Sequence, residues 1–218
     1  MIDIKQMIEK RIMNDEIEQQ RKTELPEIWH PSILGYCERQ MFLSKIHARM
    51  FDKIIKGSMM SGTILHHWVQ HFPELQETCD IEKPIKLQIN GSLAFIQGSA
   101  DIVLKDNSYV WDIKSAKSLA FIPMKQHIDQ LNVYLAGLNA PEGELLYIEK
   151  NTLETVPYKI KFNQQLFDET VGKVLSVYEA LKVWENAGSF NNPIPFTSCG
   201  CYFCKNEVIN PEIKKLMK

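Results

Sequence analysis

Short apolar runs of strand length alternate with longer runs of helical period along the 218-residue chain. The strongest strand signal lies at residues 94–104 and 109–113, two apolar runs on either side of Asp106 and Asn107. Aspartate and asparagine tolerate the dihedral angles of a tight turn, so this pattern predicts a β-hairpin. Because the runs are apolar on both faces, the two strands are expected in the centre of a sheet rather than at its surface.

Three longer segments repeat their apolar residues at helical spacing, at 58–72, 124–138 and 163–186. Pro123 suits the first turn of the second helix. Residues 1–22 predict an amphipathic helix that packs on the core or on another subunit. Two more strands are predicted at 144–150 and 155–162. The apolar side of the first helix would carry Ile64, Leu65, Trp68 and Val69.

The hairpin carries three charged residues that point to chemistry. A turn centred on Asp106 and Asn107 puts Asp101 opposite Asp112, with Cβ atoms about 5 Å apart, and Lys114 on the same face as Asp112. A solvated surface ribbon is the common alternative for such charges, but the apolar flanks favour burial. Buried carboxylates need a partner such as a hard divalent cation. The hairpin therefore predicts metal-assisted hydrolysis with Mg²⁺ or Mn²⁺, in which the lysine acts on an attacking water or on a phosphate.

Polar side chains also recur beside the apolar stripes of two predicted helices. His127, Gln130 and Tyr134 share one face of the 124–138 helix at i, i+3 and i+7. His66 lies on the 58–72 helix before the hairpin. Considered one at a time, these residues are equally compatible with ordinary polarity at the edge of a core.

The five cysteines are unevenly distributed. Cys199, Cys201 and Cys204 fall within six residues, and Cys37 lies far upstream. No apolar segment predicts a signal peptide or a membrane span, so we expect a cytoplasmic chain with reduced thiols. Clustered reduced thiols indicate a metal site, and the spacing does not choose between Zn²⁺ and an iron–sulfur cluster. Cys79 is expected to be a small buried hydrophobic residue.

Taken in order, these features resemble the PD-(D/E)xK nuclease superfamily and its RecB-like exonuclease branch, which includes the fourth CRISPR-associated (Cas) nuclease family and its phage relatives. Asp101 and the Asp-x-Lys of residues 112–114 are similar to the core motif. Residues 62–66 resemble its Gly-x-x-x-His helix, and residues 130–134 its Gln-x-x-x-Tyr helix. Residues 32–39 resemble its Ser-x-x-x-x-Cys-x-Arg segment. The resemblance covers about residues 28–205.

The resemblance implies an α/β fold with a restriction-endonuclease-like core, in which a central mixed sheet is flanked by helices. It implies His66, Asp101 and Asp112 as metal ligands and Lys114 as a catalytic residue. Gln130 and Tyr134 would orient the lysine, the substrate phosphate or the bound nucleotide.

The same resemblance implies that Cys37, Cys199, Cys201 and Cys204 hold a four-iron, four-sulfur (4Fe–4S) cluster that joins the two ends of the chain. This chain departs from the family pattern, because it has Cys-x-Cys-x-x-Cys and no later cysteine. A zinc ion or a site with three cysteine ligands is therefore the alternative.

We expect one nuclease domain, made of an N-terminal helix (1–27), a cysteine-bearing segment (28–58), the nuclease core (59–162) and a C-terminal helix with the cysteine cluster (163–218). Its predicted function is that of a metal-dependent exonuclease on single-stranded or frayed DNA ends. The alternative is a catalytically silent DNA-binding or assembly component. The net charge of −2 does not by itself indicate a nucleic-acid partner. A homo-oligomer or a complex with other DNA-processing proteins is compatible with the sequence.

Overall fold

The computed structural model describes residues 25–46, 53–89, 91–187, 194–201 and 204, with the backbone alone for residues 53–59. The amphipathic helix predicted for residues 1–22 lies outside this described part of the chain. No helix within it is long and apolar enough to cross a membrane.

The described residues contribute six strands to one mixed sheet. The hairpin strands β3 and β4 pair antiparallel, β4 runs parallel to β5, and β5 pairs antiparallel with β6. One edge of β3 is covered along its length by antiparallel β2, and its other edge pairs with the two-residue strand β1 as well as with β4. The strands are β1 (Ile28–Trp29), β2 (Cys79–Gln88), β3 (Phe95–Leu104), β4 (Tyr109–Ala116), β5 (Glu142–Glu149) and β6 (Thr155–Lys161).

Helices flank this sheet, which confirms the predicted mixed α/β architecture. They are α1 (Pro31–Leu34), α2 (Glu38–Ile46), α3 (Lys53–Gln70), α4 (Pro73–Gln76), α5 (Lys125–Leu138) and α6 (Gln164–Asn186). The main core lies between the sheet and helices α5 and α6, where Trp29, Phe42 and Leu131 are fully buried. A smaller cluster under α3 includes Cys79, which is buried as predicted.

The predicted hairpin register is confirmed, because Ile102 pairs with Trp111 and Val103 with Val110 around the turn. Asn107 in the turn has φ of 62°, a dihedral angle that asparagine tolerates better than most residues. Strand β4 extends past the predicted end to Ala116, so that Lys114 lies inside it.

Two local predictions are wrong. Pro123 lies outside α5, which begins at Lys125 after Met124 as its N-cap residue. On α3, Leu65 and Val69 pack on the smaller cluster as expected, but Ile64 and Trp68 are 60% and 52% exposed. Side chains four residues apart share one face, and the sheet covers only the face that carries Leu65 and Val69.

Candidate active site and cysteine site

The two strands of the hairpin separate where the predicted carboxylates begin. Their ladder ends at Ile102 and Trp111, one residue before Asp101 and Asp112 would pair. In place of a backbone acceptor, Oδ2 of Asp101 accepts a hydrogen bond from the N–H of Ile113 at 2.6 Å. The carboxylate of Asp101 therefore occupies the opening between the strands and stabilises their separation.

Asp112 is fully buried, and Lys114 is its charged partner. Nζ of Lys114 donates to Oδ1 at 2.9 Å and lies 2.8 Å from Oδ2. Within the described residues, Oδ2 is a buried acceptor that lacks a hydrogen bond of suitable angle. A buried carboxylate oxygen with unused lone pairs is a suitable ligand atom for a hard cation.

The carboxyl groups of Asp101 and Asp112 both have raised pKa values in this site. Burial raises the pKa of Asp101 and of Asp112 to about 6, and the neighbouring Lys114 charge lowers both values in opposition. The proximity of Asp101 raises the pKa of Asp112 further. Two such carboxylates favour a bound cation, because its charge offsets both desolvation and mutual repulsion.

Helix α3 brings His66 to the same place. Its Nδ1 lies 3.6 Å from Oδ2 of Asp101. Burial lowers the pKa of His66, and the charge of Lys114 lowers it further. The imidazole is thus kept neutral, which is the form that binds metal ions. The three residues predicted as metal ligands therefore lie in one neighbourhood.

Gly62 explains why a glycine precedes His66 by four residues. A Cβ atom at this position would lie 2.6 Å from Oγ of Ser115 on β4. The missing side chain allows α3 to approach the sheet closely, and one turn later the helix presents His66 to the carboxylates. Nζ of Lys150 donates to Oγ of neighbouring Ser61 at 3.1 Å.

Sequence reasoning missed Glu82 as part of this neighbourhood. Glu82 has φ of 50° and is skipped in the β2–β3 ladder, where it would have paired with Asp101. Its Oε1 accepts a hydrogen bond from Nε2 of Gln70 at 2.6 Å. The spacing of Gln70, one turn after His66 on the same helix face, is the only sequence feature that could have indicated this pair.

Helix α5 supplies uncharged donors to the site. Nε2 of Gln130 donates to Oη of Tyr134 at 3.2 Å. Burial raises the pKa of Tyr134, and the charges of Asp112 and Asp101 raise it further. The phenol therefore stays protonated and accepts from Gln130, which leaves its own O–H for another acceptor.

The four cysteines predicted as ligands come together at a second location. Cys37 directly precedes α2, and its Sγ lies 3.9 Å from Sγ of Cys201 and 3.8 Å from Sγ of Cys204. Cys199 lies 3.8 Å from Cys204, and all four sulfurs are within 4.8 Å of one another. Burial raises the pKa of Cys37 to about 12, and a metal would reverse this shift by binding the thiolate.

Arg39 attaches the C-terminal segment to this site. Its Nη1 donates to the carbonyl of Phe196 at 2.7 Å, and the Phe196 ring packs edge-on against Phe42 of the same helix. The Cys-x-Arg spacing thus places one cysteine of the cluster two residues before an arginine that binds the backbone of the C-terminal segment. The two chain regions that carry the cysteines are therefore joined by the sulfur contacts and by the hydrogen bond of Arg39.

The close approach at Gly62 can be tested with a double-mutant cycle. Gly62→Ala should lower metal affinity and activity severalfold, because the new Cβ displaces either Ser115 or helix α3. In a Ser115→Ala background the same change should be tolerated, since the next nearest atoms lie 3.7 and 3.8 Å away. Additive effects in the cycle would contradict a direct contact.

A second test concerns the buried carboxyl of Asp101. The pKa of Asp101 is about 6 in the folded chain, whereas aspartates of an unfolded chain have a pKa of about 4. The folded chain therefore binds this proton more tightly than the unfolded chain does. The metal-free protein should therefore lose stability as pH rises through this interval. Asp101→Asn keeps an acceptor for Ile113 and should raise the metal-free melting temperature above pH 7 by several degrees.

Thermal melts in chelator over a pH series measure this effect. Asp106→Asn in the exposed turn is the control and should give no such rise. If the melting temperature of the parent protein instead increases steadily with pH, ionisation of the buried Asp101 carboxyl does not destabilise the fold.

No protein-family model matches the chain. The chain is 24% identical over 181 residues to the CRISPR-associated exonuclease Cas4 of Saccharolobus solfataricus, which covers 80% of this chain and 83% of that protein. The solved structure of SSO0001 is similar with a TM-score of 0.65 and 21% identity, over 94% of this chain and 96% of that one. The alkaline exonuclease LHK-Exo of Laribacter hongkongensis gives a TM-score of 0.53 at 13% identity, over 78% and 94% of the two chains. These similarities agree with the resemblance seen in the sequence: the chain is similar in sequence to the Cas4 exonuclease, and it shares its fold with SSO0001 and with the alkaline exonuclease.

Proposed function

We propose that this protein is a metal-dependent exonuclease that hydrolyses phosphodiester bonds of DNA, on single-stranded or frayed ends. The observation that carries the proposal is the buried pair of Asp112 and Lys114 beside Asp101 and His66. Ionisable side chains with shifted pKa values that collect in one place are typical of functional sites. The exonuclease mode follows the names of the relatives, one of which was crystallised with dAMP.

The residues fit a hard divalent ion, Mg²⁺ or Mn²⁺, held by Asp101, Asp112 and His66. The buried Oδ2 of Asp112 without a hydrogen bond and the raised pKa of both carboxyls support this assignment. When bound, the ion supplies Lewis-acid activation of the water and the phosphate. An imidazole ligand favours Mn²⁺ more than an all-oxygen site does.

Lys114 keeps a positive charge at the carboxylates without carrying a ligand atom for a cation. Its ammonium holds an attacking water or stabilises the negative charge that develops on the phosphate. Tyr134, which Gln130 orients, donates its O–H to the phosphate or to the bound nucleotide. Because the phenol is neutral, it can bind the phosphate without changing the charge balance between Lys114 and the two aspartates.

The nuclease assignment is tested with Lys114→Ala. Loss of the ammonium should reduce nucleotide release from labelled single-stranded DNA by at least about 100-fold, while metal and DNA binding remain largely intact. Lys86→Ala is the matched control, because Lys86 lies over the ring of Phe95 and not at the carboxylates. Full activity of Lys114→Ala would remove the lysine from the mechanism. Absence of cleavage by the parent protein with Mg²⁺ and Mn²⁺ would favour the silent DNA-binding component.

We also propose that the cysteine site holds one tetrahedral ion, Zn²⁺, in a structural role. With zinc–sulfur bonds of about 2.3 Å, the sulfurs of a tetrahedral site lie about 3.8 Å apart. Three of the six sulfur–sulfur separations, at 3.9, 3.8 and 3.8 Å, match this value, and the other three are no longer than 4.8 Å. The 4Fe–4S cluster implied by the resemblance binds each cysteine to a different iron, so it needs wider spacing. The spacing supports the zinc alternative.

Metal content and cysteine variants test this second proposal. Elemental analysis should give about one zinc per chain. Cys37→Ser and Cys204→Ser should be metal-depleted and prone to aggregation, because ligand bonds made only in the folded state contribute to folding. Cys79→Ser, in the small core cluster, is the control and should keep its metal. A brown protein with about four irons per chain would instead support the 4Fe–4S cluster. A stable native chain with neither metal would show that these thiols bind no metal.

A further inference from the structure

His127 is a polar residue of the site that neither the metal nor the lysine requires. It lies in the first turn of α5, and its Nδ1 is 2.7 Å from Oη of Tyr147. The same Oη accepts the backbone N–H of Met124 at 3.0 Å. One nitrogen of the ring is therefore fixed by a hydroxyl that is itself held by the backbone.

These contacts favour one tautomer of the ring. Because Oη of Tyr147 accepts from Met124, its own proton can be donated to Nδ1 of His127, which places the ring proton on Nε2. Burial raises the pKa of Tyr147, so the phenol keeps that proton. Burial and then the Lys114 charge lower the pKa of His127 to about 3. The ring is neutral, with Nε2–H as a donor that makes no hydrogen bond to any described residue.

The ring belongs to the face of α5 that lines the candidate active site. His127, Gln130 and Tyr134 follow one another at i, i+3 and i+7, within about 10 Å along the helix axis. Tyr147 is the register partner of Lys114 on the adjacent strand, and the charge of Lys114 acts on the His127 ring, so His127 lies near the lysine. A neutral N–H donor beside the ammonium of Lys114 can donate a hydrogen bond to an anionic group that the ammonium attracts.

Other roles for His127 fit these observations less well. A ring with a pKa of about 3 is almost never protonated at neutral pH, so it is a poor general acid. A metal ligand would need an unshared lone pair, but Nδ1 already accepts from Tyr147. Nε2 of this partly buried ring is not a buried atom, so a ligand can reach it from solvent.

We propose that His127 is a substrate-binding residue, whose Nε2–H donates a hydrogen bond to a phosphate of the DNA strand beside Lys114. This inference rests on the proposed nuclease function, and it adds a third uncharged donor to Gln130 and Tyr134. Together they would bind the strand along α5 while Lys114 and the carboxylates act at the scissile bond.

Three variants and one control test the proposal. His127→Leu removes the donor, His127→Gln keeps an N–H near the position of Nε2, and Tyr147→Phe releases the ring. We expect His127→Leu to weaken binding of single-stranded DNA, measured with Ca²⁺ in place of Mg²⁺, by about 5- to 10-fold and to slow single-turnover cleavage by about 10- to 100-fold. His127→Gln should recover part of both losses, and Tyr147→Phe should lie between the parent and His127→Leu. His67→Leu, whose ring stacks on His71, is the control.

A spectroscopic readout separates binding from a structural role. Long-range ¹H–¹⁵N spectra of the parent should show His127 as the Nε2–H tautomer, and a thymidine dinucleotide should shift its Nε2 signal. Parent-like DNA binding in His127→Leu, equal defects in the Leu and Gln variants, or an unshifted Nε2 signal would overturn the proposal. If the parent does not cleave DNA, the nuclease assignment fails, and the binding and spectroscopic measurements still decide the role of His127.

Discussion

The hydrogen bond from the N–H of Ile113 to Oδ2 of Asp101 is the interaction on which the candidate active site depends. A continued ladder would have satisfied Ile113 with a backbone carbonyl and brought β3 and β4 together at this point. The carboxylate takes over that role, so the hairpin opens without leaving Ile113 with a buried unpaired donor. The opening gives the two aspartates, Lys114 and His66 access to one another. Glu82 interrupts the opposite edge of β3 at the same level, so both edges of this strand are irregular beside Asp101.

The charges in this opening are held at a cost to stability. Asp112 is fully buried, and burial raises its pKa although Lys114 lies within hydrogen-bonding distance. A buried pair of this kind seldom stabilises a fold more than apolar side chains of the same size would. The presence of the Asp112–Lys114 pair is therefore better explained by the chemistry of the site than by packing. The surrounding donors complement it, because the imidazole of His127 and the phenol of Tyr134 are kept uncharged. They therefore add neither a second positive charge beside Lys114 nor a further negative charge beside the carboxylates.

The cysteine site joins two parts of the chain that are far apart in sequence. The sulfurs join the residue before α2 to a segment more than 150 positions later, as the contact between Cys37 and Cys201 shows. Arg39 and the Phe42–Phe196 ring contact reinforce the same junction. Helix α3, which carries His66, follows α2 in the chain, and its position on the sheet depends on the close approach at Gly62. Loss of the metal proposed at the cysteines would therefore act on the candidate active site through the fold and not through the chemistry.

The sequence by itself determined the hairpin, its register and the identity of the charged residues, because turn chemistry and strand alternation are local properties. It also determined which residues of α5 share a face, since helical spacing is fixed. It placed Pro123 in the first turn of α5 and Ile64 and Trp68 on the apolar side of α3, because propensity and periodicity do not report which helix face the sheet covers. Only the tertiary structure decided that the strands separate at Asp101, that Glu82 and Gln70 meet beside it, and that the four cysteine sulfurs lie within 4.8 Å of one another. These features depend on contacts between residues distant in the chain, and no local pattern encodes such distances.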